Sequence, residues 1–213
     1  TTNKYSVKFW QKEGVERVVL ARELSLKEIA EIHEFVPEME LEAFVHGAMC
    51  ISYSGRCLLS DYLDGRSSNR GACVQSCRWK YEVRALNPTN KETGWLPLEE
   101  DEKGSFIFNS KDLNMLAYLS EMEGAGVSSF KIEGRMRNKE YLAIAISNYR
   151  KALNKLKSGK ETKSEEISLV FNRGFIEGQF SHQSKRSLRA GHIGLKIGRV
   201  IDSHKNRIAI RLN

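Results

Sequence analysis

The alternation of apolar and polar positions along the chain predicts short strands that are followed by helices. The β-branched run at 17–21 reads as a strand, and Ser25 followed three residues later by Glu28 forms a capping-box pattern that starts a helix. The same patterns predict further strands at 40–45, 106–109 and 128–132, and further helices at 111–122 and 139–157.

Strands that alternate with helices indicate an α/β fold with a parallel sheet. Two architectures fit, an open doubly wound sheet or part of a (β/α) barrel, and four units would make about half of an eight-unit barrel of ~250 residues. We assign residues 1–158 to this domain, with a long cysteine-rich insertion at about 47–104 that includes a hairpin pattern at 81–95.

A second, basic domain is predicted at 166–213. The polar stretch 158–165 reads as a linker, and glycine-punctuated runs such as 195–201 and 207–212 are typical of a small β-barrel domain. Residues 150–213 carry 15 basic and 5 acidic side chains, a net +10, whereas residues 1–149 carry 19 and 22, a net −3. The basic character therefore belongs to one end of the chain.

Composition excludes several classes of protein. The 213 residues are 40% hydrophobic with a net charge of +7, which does not suit a disordered or fibrous chain. Apolar stretches such as 142–146 are far shorter than the ~20 residues of a membrane helix. We expect a cytoplasmic protein with no membrane partner. Because the sequence starts at Thr1 and ends in a strand pattern, we also expect it to be part of a longer protein.

The four cysteines are spaced Cx6Cx15Cx3C, and all lie within 28 residues: Cys50, Cys57, Cys73 and Cys77. Two disulfides or four unrelated buried thiols are the alternatives to metal binding, but disulfides do not suit a cytoplasmic chain. Structural zinc usually uses two CxxC knuckles, whereas iron–sulfur clusters accept wider spacing, so the pattern favours a cluster over zinc. Four arginines lie among these thiols and either offset the charge of a thiolate cluster or form a solvated basic loop: Arg56, Arg66, Arg70 and Arg78.

The segment 42–60, EAFVHGAMCISYSGRCLLS, matches the pattern ExFxxG[SA]xCxxxxGxCxxS. This pattern resembles the signature of the collagenase-like peptidase family, peptidase family U32. The segments 18–29, 108–116, 130–137 and 173–180 also resemble that family, in the same order, so the resemblance covers nearly the whole chain.

The resemblance implies the later half of a (β/α)8 TIM-like barrel followed by the start of a small β-barrel domain. It further implies a [4Fe-4S] cluster on Cys50, Cys57, Cys73 and Cys77. The family name records peptidase activity. Other members support prephenate-dependent or oxygen-independent hydroxylation of the tRNA wobble uridine (giving 5-hydroxyuridine), of an rRNA cytidine or of a ubiquinone precursor.

Charged side chains cluster at the predicted strand ends, where a barrel places its active site. We select Arg22, Glu42, Glu133 and Arg135, since a group of arginines and carboxylates suits a small carboxylate co-substrate; salt bridges at the barrel mouth are the alternative. His46 is a fifth candidate, with a packed histidine as the alternative. The sequence has no GxSxG or HExxH motif, so a peptidase function rests on the resemblance alone.

The basic C-terminal part suits a surface that follows the phosphate backbone of tRNA or rRNA. The candidate RNA-binding residues are Arg173, Lys185, Arg186, Arg189, Lys196 and Arg199. We therefore predict an RNA-modifying hydroxylase. The alternatives are a collagenase-type peptidase and a binding module without chemistry.

Overall fold

The computed structural model describes residues 1–79, 81–86, 92–97, 110–156, 166–177, 198–205 and 207–212. The helices are α1 (Lys4–Lys12), α2 (Leu26–Phe35), α3 (Leu59–Asp64), α4 (Leu119–Gly124) and α5 (Lys139–Leu156). The strands are β1 (Arg17–Val19), β2 (Glu40–Ala48), β3 (Glu82–Leu86), β4 (Glu92–Pro97), β5 (Asp112–Asn114), β6 (Val127–Ile132), β7 (Phe175–Ile176), β8 (Gly198–His204) and β9 (Arg207–Leu212). Short 3₁₀ turns lie at Ser68–Arg70, Ser76–Arg78, Leu116–Tyr118 and Glu166–Leu169.

A mixed sheet organises the α/β part. Strand β2 is its central member and pairs in parallel with β1 and β6. At its carboxyl end β2 also pairs with β5, which runs antiparallel to it and in turn pairs in parallel with β7. The predicted α/β class and its parallel strands are therefore confirmed.

Helix α2 begins as the sequence predicts. The backbone N–H of Glu28 donates to Ser25 Oγ at 3.3 Å, and the N–H of Ser25 donates to Glu28 Oε2 at 2.8 Å. These two bonds satisfy backbone donors that an uncapped helix leaves open. The bond from the Ser25 N–H to the Glu28 carboxylate, together with a bond from Ser25 Oγ to the same carboxylate, lowers the pKa of Glu28. The prediction for α5 is confirmed as well.

The predicted helix at 111–122 is wrong in its first half. Residues Asp112–Asn114 form β5, and α4 begins only at Leu119 after a 3₁₀ turn. Pairing with β2 and β7 supplies the backbone hydrogen bonds of this segment, so tertiary contacts override its helical pattern. The strand predicted at 106–109 lies outside the described residues.

The hydrophobic core lies between this sheet and the helices, with α2 packed against α1 and α4, and α4 packed against α5. Fully buried side chains of the core include Val7, Ile32, Leu41, Val45, Met115, Leu119, Met122, Ile167 and Ile176.

Two hairpins agree with sequence predictions. Strands β3 and β4 pair antiparallel within the cysteine-rich insertion, and β8 and β9 pair antiparallel near the end of the chain. The boundary between the two predicted domains, at 158–166, stays a prediction because residues 157–165 are outside the described part. No helix in the described ranges is both long and apolar enough to cross a membrane.

Candidate functional site

A cavity of about 340 Å³ opens at the carboxyl ends of the parallel strands. Its wall is made by the residues that follow β1, by the end of β2, by the cysteine-rich segment and by the residues that follow β6. Loops at the carboxyl ends of parallel strands are the usual place for a binding site in an α/β fold.

All four cysteines line this cavity as free thiols. Cys50 follows β2, and Cys57 precedes α3. Cys73 and Cys77 flank the left-handed residue Gln75 (φ 58°), whose backbone N–H donates to Cys73 Sγ at 3.2 Å. The four thiols therefore face one cavity, and their joint binding of a metal group stays a prediction.

The buried Ser60 joins the two halves of the cysteine-rich segment. Its hydroxyl donates to the carbonyl oxygen of Arg66 at 2.7 Å and accepts from the N–H of Val74 at 3.2 Å. Ser68 adds a bond from its hydroxyl to the carbonyl oxygen of Cys57 at 2.7 Å. Ser60 is the serine at the end of the 42–60 pattern, so the sequence carried the signal for this structural role.

The thiols differ in their electrostatic surroundings. Burial raises the pKa of Cys50 and of Cys77. Burial acts in the same direction on Cys57, but hydrogen bonds from the backbone of Leu59 and from Ser68 outweigh it and lower the pKa of that thiol. A metal centre would need all four as thiolates, so its binding would release protons.

The donor set and its spacing indicate which metal group these residues could hold. Four cysteine sulfurs are soft ligands of the kind that bind zinc or iron–sulfur clusters. Within the described ranges, no three His, Cys, Asp or Glu side chains converge closely enough to hold one metal ion. Four cysteine thiolates are the ligand set of a tetrahedral zinc site and also of a [4Fe-4S] cluster, in which each thiolate binds a different iron, so the donor set is compatible with either group.

Three of the predicted catalytic residues meet at the same cavity. Arg22 donates from one guanidinium nitrogen to the carbonyl oxygen of Ala48 at 2.9 Å, and its other terminal nitrogen lies 3.9 Å from Glu133 Oε2. Glu133 also accepts from the backbone N–H of Arg135 at 2.9 Å, and the Arg135 guanidinium lies 3.9 Å from it. Arg22 further lies over the Phe44 ring at 3.8 Å. Two cations therefore flank one carboxylate beside the thiols.

Glu42 lies elsewhere and is not part of the cavity lining. Its carboxylate accepts from Lys131 Nζ at 2.8 Å and from Ser129 Oγ at 3.2 Å, and Arg17 lies at 3.8 Å. The hydrogen bond from Lys131 is the main reason why the pKa of Glu42 is lowered. The structure thus places Glu42 in a salt-bridge group between β1, β2 and β6.

His46 is also outside the cavity lining and is 1% exposed. Its ring packs among Tyr141, Tyr149 and Phe175 at centroid distances of 5.5–5.8 Å. Neither ring nitrogen has a hydrogen-bond partner in the described part of the protein. Burial, assisted by the charge of Arg137, lowers the pKa of His46 to about 4, so this histidine is neutral near pH 7.

Two of the six predicted RNA-binding residues can be placed. Arg173 is 9% exposed and lies 3.8 Å from the buried Asp112, whereas Arg199 is exposed on β8. Burial is the main cause that lowers the pKa of Arg173 to about 10. Lys185, Arg186, Arg189 and Lys196 lie outside the described residues.

Arg137 was not among the predicted site residues, yet it contacts the same Asp112 at 3.4 Å. Asp112 falls inside the segment predicted as helical, whereas the structure places it at the start of β5. Arg78 was noted only as one of four arginines among the thiols, but it alone of the four is buried and lines the cavity.

The fold and the cavity together define an α/β protein with four thiols and several arginines at the carboxyl ends of its parallel strands. The chain belongs to peptidase family U32, whose sequence model matches residues 1–190.

Relatives within this family carry two kinds of name. The chain is 40% identical to "tRNA hydroxylation protein P" of Escherichia coli over 83% of this chain and 48% of that protein. It is 45% identical to "tRNA hydroxylation protein P1" of Bacillus subtilis over 72% of this chain and 35% of that protein. It is also 36% identical to a "Collagenase" of Porphyromonas gingivalis over 78% of this chain and 42% of that protein. The chain thus spans about half of the length of these relatives or less, and no solved structure matches it significantly.

Proposed function

We propose that this chain is part of a cytoplasmic enzyme that supports hydroxylation of a pyrimidine in tRNA, at the wobble uridine. In this proposal Cys50, Cys57, Cys73 and Cys77 hold a [4Fe-4S] cluster, and a small carboxylate such as prephenate binds beside it. The observation that carries the proposal is that the four thiols and the Arg22, Glu133 and Arg135 group line one cavity. The names of the bacterial relatives support tRNA as the substrate. An rRNA pyrimidine is the closest alternative substrate.

Different residues of the chain would have different roles inside the cavity. When bound, the cluster would supply one-electron redox chemistry. Arg22 and Arg135 would bind the carboxylate of the co-substrate, and Glu133 would hold both guanidinium groups in place. Because Arg22 is also fixed by the carbonyl of Ala48 and by Phe44, little side-chain freedom is lost on binding.

The proposal extends to the rest of the protein. We infer that β1, β2 and β6 belong to a (β/α)8 barrel, since these parallel strands place their carboxyl ends around one cavity. The basic end of the chain, including the exposed Arg199, would then contact the tRNA backbone.

Deletion of the gene, followed by nucleoside analysis of tRNA and rRNA, tests the proposed activity. We expect the loss of one hydroxylated uridine from tRNA, restored by the wild-type gene but not by Arg22→Met, which removes a cation from the cavity. Arg56→Met is the control, because Arg56 is an exposed arginine of the cysteine-rich segment and does not line the cavity. An unchanged nucleoside profile in the deletion strain would reject the proposal, and loss of an rRNA nucleoside instead would select the rRNA alternative.

Anaerobic purification with iron and sulfide analysis tests the cluster independently. We expect close to four irons and four sulfides per chain, with Cys73→Ser reducing both. A colourless protein with one equivalent of zinc would contradict the cluster and support the zinc alternative.

A collagenase-type peptidase is the second candidate function, and the named collagenase relative favours it. Gelatin cleavage by the purified protein, abolished in His46→Phe or Glu42→Gln, would support that function. We expect no cleavage, because His46 is enclosed by aromatic rings and Glu42 is held by Lys131 away from the cavity.

A further inference from the structure

Three arginines converge on one buried carboxylate behind the thiol cavity. Guanidinium nitrogens of Arg78, Arg137 and Arg173 lie 3.8, 3.4 and 3.8 Å from Asp112 Oδ1. The side chains of these arginines are 6%, 9% and 10% exposed, and that of Asp112 is 1% exposed. The backbone N–H of Arg173 adds a 3.0 Å bond to Asp112 Oδ2. We call these four residues the arginine cluster.

The arginine cluster gathers three buried guanidinium groups around one carboxylate, and like charges held this close repel one another at a cost in free energy. Phe171 offsets part of this cost, since its ring lies 4.4 Å from the Arg137 guanidinium and 4.8 Å from that of Arg173. Repulsion within the cluster remains, because Arg78 and Arg137 both act to lower the pKa of Arg173, which burial has already lowered. Buried charge of one sign is costly unless an opposite charge is close.

Arg78 lies between the rest of the arginine cluster and the thiols. It lines the same cavity as all four cysteines and follows Cys77 directly in the sequence. Its guanidinium donates to the carbonyl oxygen of Met49 at 3.1 Å and to Gln75 Oε1 at 2.9 Å, which fixes the side chain in place. Its Nε is buried and has no hydrogen-bond partner in the described part of the chain. The Arg78 guanidinium is therefore held in place at the cavity wall, while its Nε has no hydrogen-bond partner among the described residues.

We propose that Arg78 is a fixed counter-charge for an anionic iron–sulfur centre on the four cysteines and raises the reduction potential of that centre. The proposal rests on the cluster assignment made under the proposed function. A [4Fe-4S] core of charge +2 with four thiolates has a net charge of −2, so a cation at the cavity wall stabilises it. One-electron reduction adds a further negative charge, so a fixed cation at the cavity wall favours the reduced state.

Exposure separates Arg78 from the other arginines of the segment. Arg56, Arg66 and Arg70 are exposed, so water screens their charge, whereas Arg78 acts through a buried environment of lower effective dielectric constant. Removal of Arg78 leaves Asp112 in contact with Arg137 and Arg173, so the carboxylate does not become unpaired. The effects of a substitution at Arg78 can therefore be assigned to the loss of the Arg78 charge.

The test compares the full chain carrying Arg78→Met, Arg78→Lys or Arg70→Met with the wild type, each purified anaerobically and reconstituted with iron and sulfide. Iron and sulfide content shows whether the centre forms. A redox titration followed by electron paramagnetic resonance gives the midpoint potential. Denaturant unfolding of the metal-free proteins gives their stability.

We expect Arg78→Met to shift the midpoint to a more negative potential, so that the centre is at least tenfold harder to reduce, about 59 mV for a one-electron couple. Arg78→Lys should recover most of this shift because it keeps the charge, and Arg70→Met should leave the midpoint unchanged. Metal-free Arg78→Met should stay folded, because Asp112 keeps Arg137 and Arg173 as partners.

Three results would overturn the proposal, and they differ in what else they reject. A wild-type midpoint in Arg78→Met with full iron content would reject the role of Arg78 and leave the cluster intact. A wild-type chain that takes up no iron and sulfide would reject both this inference and the cluster on which it rests. Equal shifts in Arg78→Met and Arg70→Met would also contradict it, since a general surface-charge effect would explain them.

Discussion

At the residue scale, His46 shows how local irregularity changes the role of a side chain. Simple alternation along β2 would place His46 on the same face as Phe44, which lines the cavity. The pairing of β2 with β6 shifts register between Phe44 and His46, and the histidine is instead enclosed by Tyr141, Tyr149 and Phe175. A register irregularity of this kind changes the direction in which a side chain points, and no pattern in the sequence predicted it.

Burial of His46 predicts a specific pH dependence of stability. The pKa is about 4 in the folded protein against an ordinary value of 6.5, so between these pH values the unfolded chain takes up a proton that the folded chain does not. The free energy of unfolding should therefore fall as pH decreases from 6.5 to 4, by roughly 3 kcal/mol from this group alone. Urea unfolding at a series of pH values should show a smaller decrease for His46→Phe than for the wild type.

The control for this experiment is His204→Phe, the same replacement at a histidine whose side chain is 82% exposed. That variant should keep the pH dependence of the wild type. An unchanged pH dependence in His46→Phe would show that His46 is protonated in the folded protein, contrary to the buried environment described here.

At the element scale, the convergence of the predicted residues follows from strand order. Arg22 follows β1, while Glu133 and Arg135 follow β6, and both strands run parallel to β2. Parallel strands bring their carboxyl ends to one edge, so the sequence alone was sufficient to expect these three residues at one edge, but it also placed Glu42 and His46 there. It was not sufficient for β5, because the antiparallel pairing of Asp112–Asn114 with β2 depends on contacts between segments more than 60 positions apart.

The joint between β2 and β6 depends on Gly47, the first glycine of the family pattern. Its φ is +99°, and a Cβ there would press against the carbonyl oxygen and the Cβ of Glu133. We expect Gly47→Ala to lower the free energy of unfolding by about 3 kcal/mol, through backbone strain together with displacement of the Glu133 backbone. Urea unfolding provides the measurement.

Gly14→Ala separates these two causes. Gly14 also has a positive φ, +81°, but a Cβ there would meet nothing within 4 Å, so only the strain of about 1 kcal/mol should remain. Equal losses in the two variants would mean that the contact with Glu133 contributes nothing.

At the scale of the whole molecule, the net +10 of residues 150–213 is not a uniform basic surface. Arg173 is buried against Asp112 and Phe171, and Arg199 is exposed on the β8–β9 hairpin. Only charges that reach the surface can replace counterions on a nucleic-acid backbone. The number of basic residues in the sequence therefore overestimates the positive charge that this region can present to RNA, by at least Arg173.

If the proposed tRNA contact is correct, the two arginines should respond differently to replacement. Arg199→Gln should weaken tRNA binding and reduce the slope of log affinity against log salt by about 1, with no change in unfolding. Arg173→Gln should instead lower the free energy of unfolding, because Asp112 loses a buried partner, and should keep the wild-type slope. Binding titrations at several salt concentrations, with unfolding curves for each variant, distinguish these outcomes. A reduced slope in a fully folded Arg173→Gln protein would show that this arginine contacts the RNA.

The sequence by itself determined the α/β class, the capped start of α2, the grouping of the four cysteines and the family, because each depends on local spacing or on residues close together in the chain. Only the tertiary structure decided that Arg22, Glu133 and Arg135 share the thiol cavity, that Glu42 and His46 do not, and that Arg78, Arg137 and Arg173 surround Asp112. These are contacts between distant segments, and strand pairing, register shifts and burial determine them together. The number of charged residues follows from the sequence, whereas packing determines which of these charges are buried and how they affect the site.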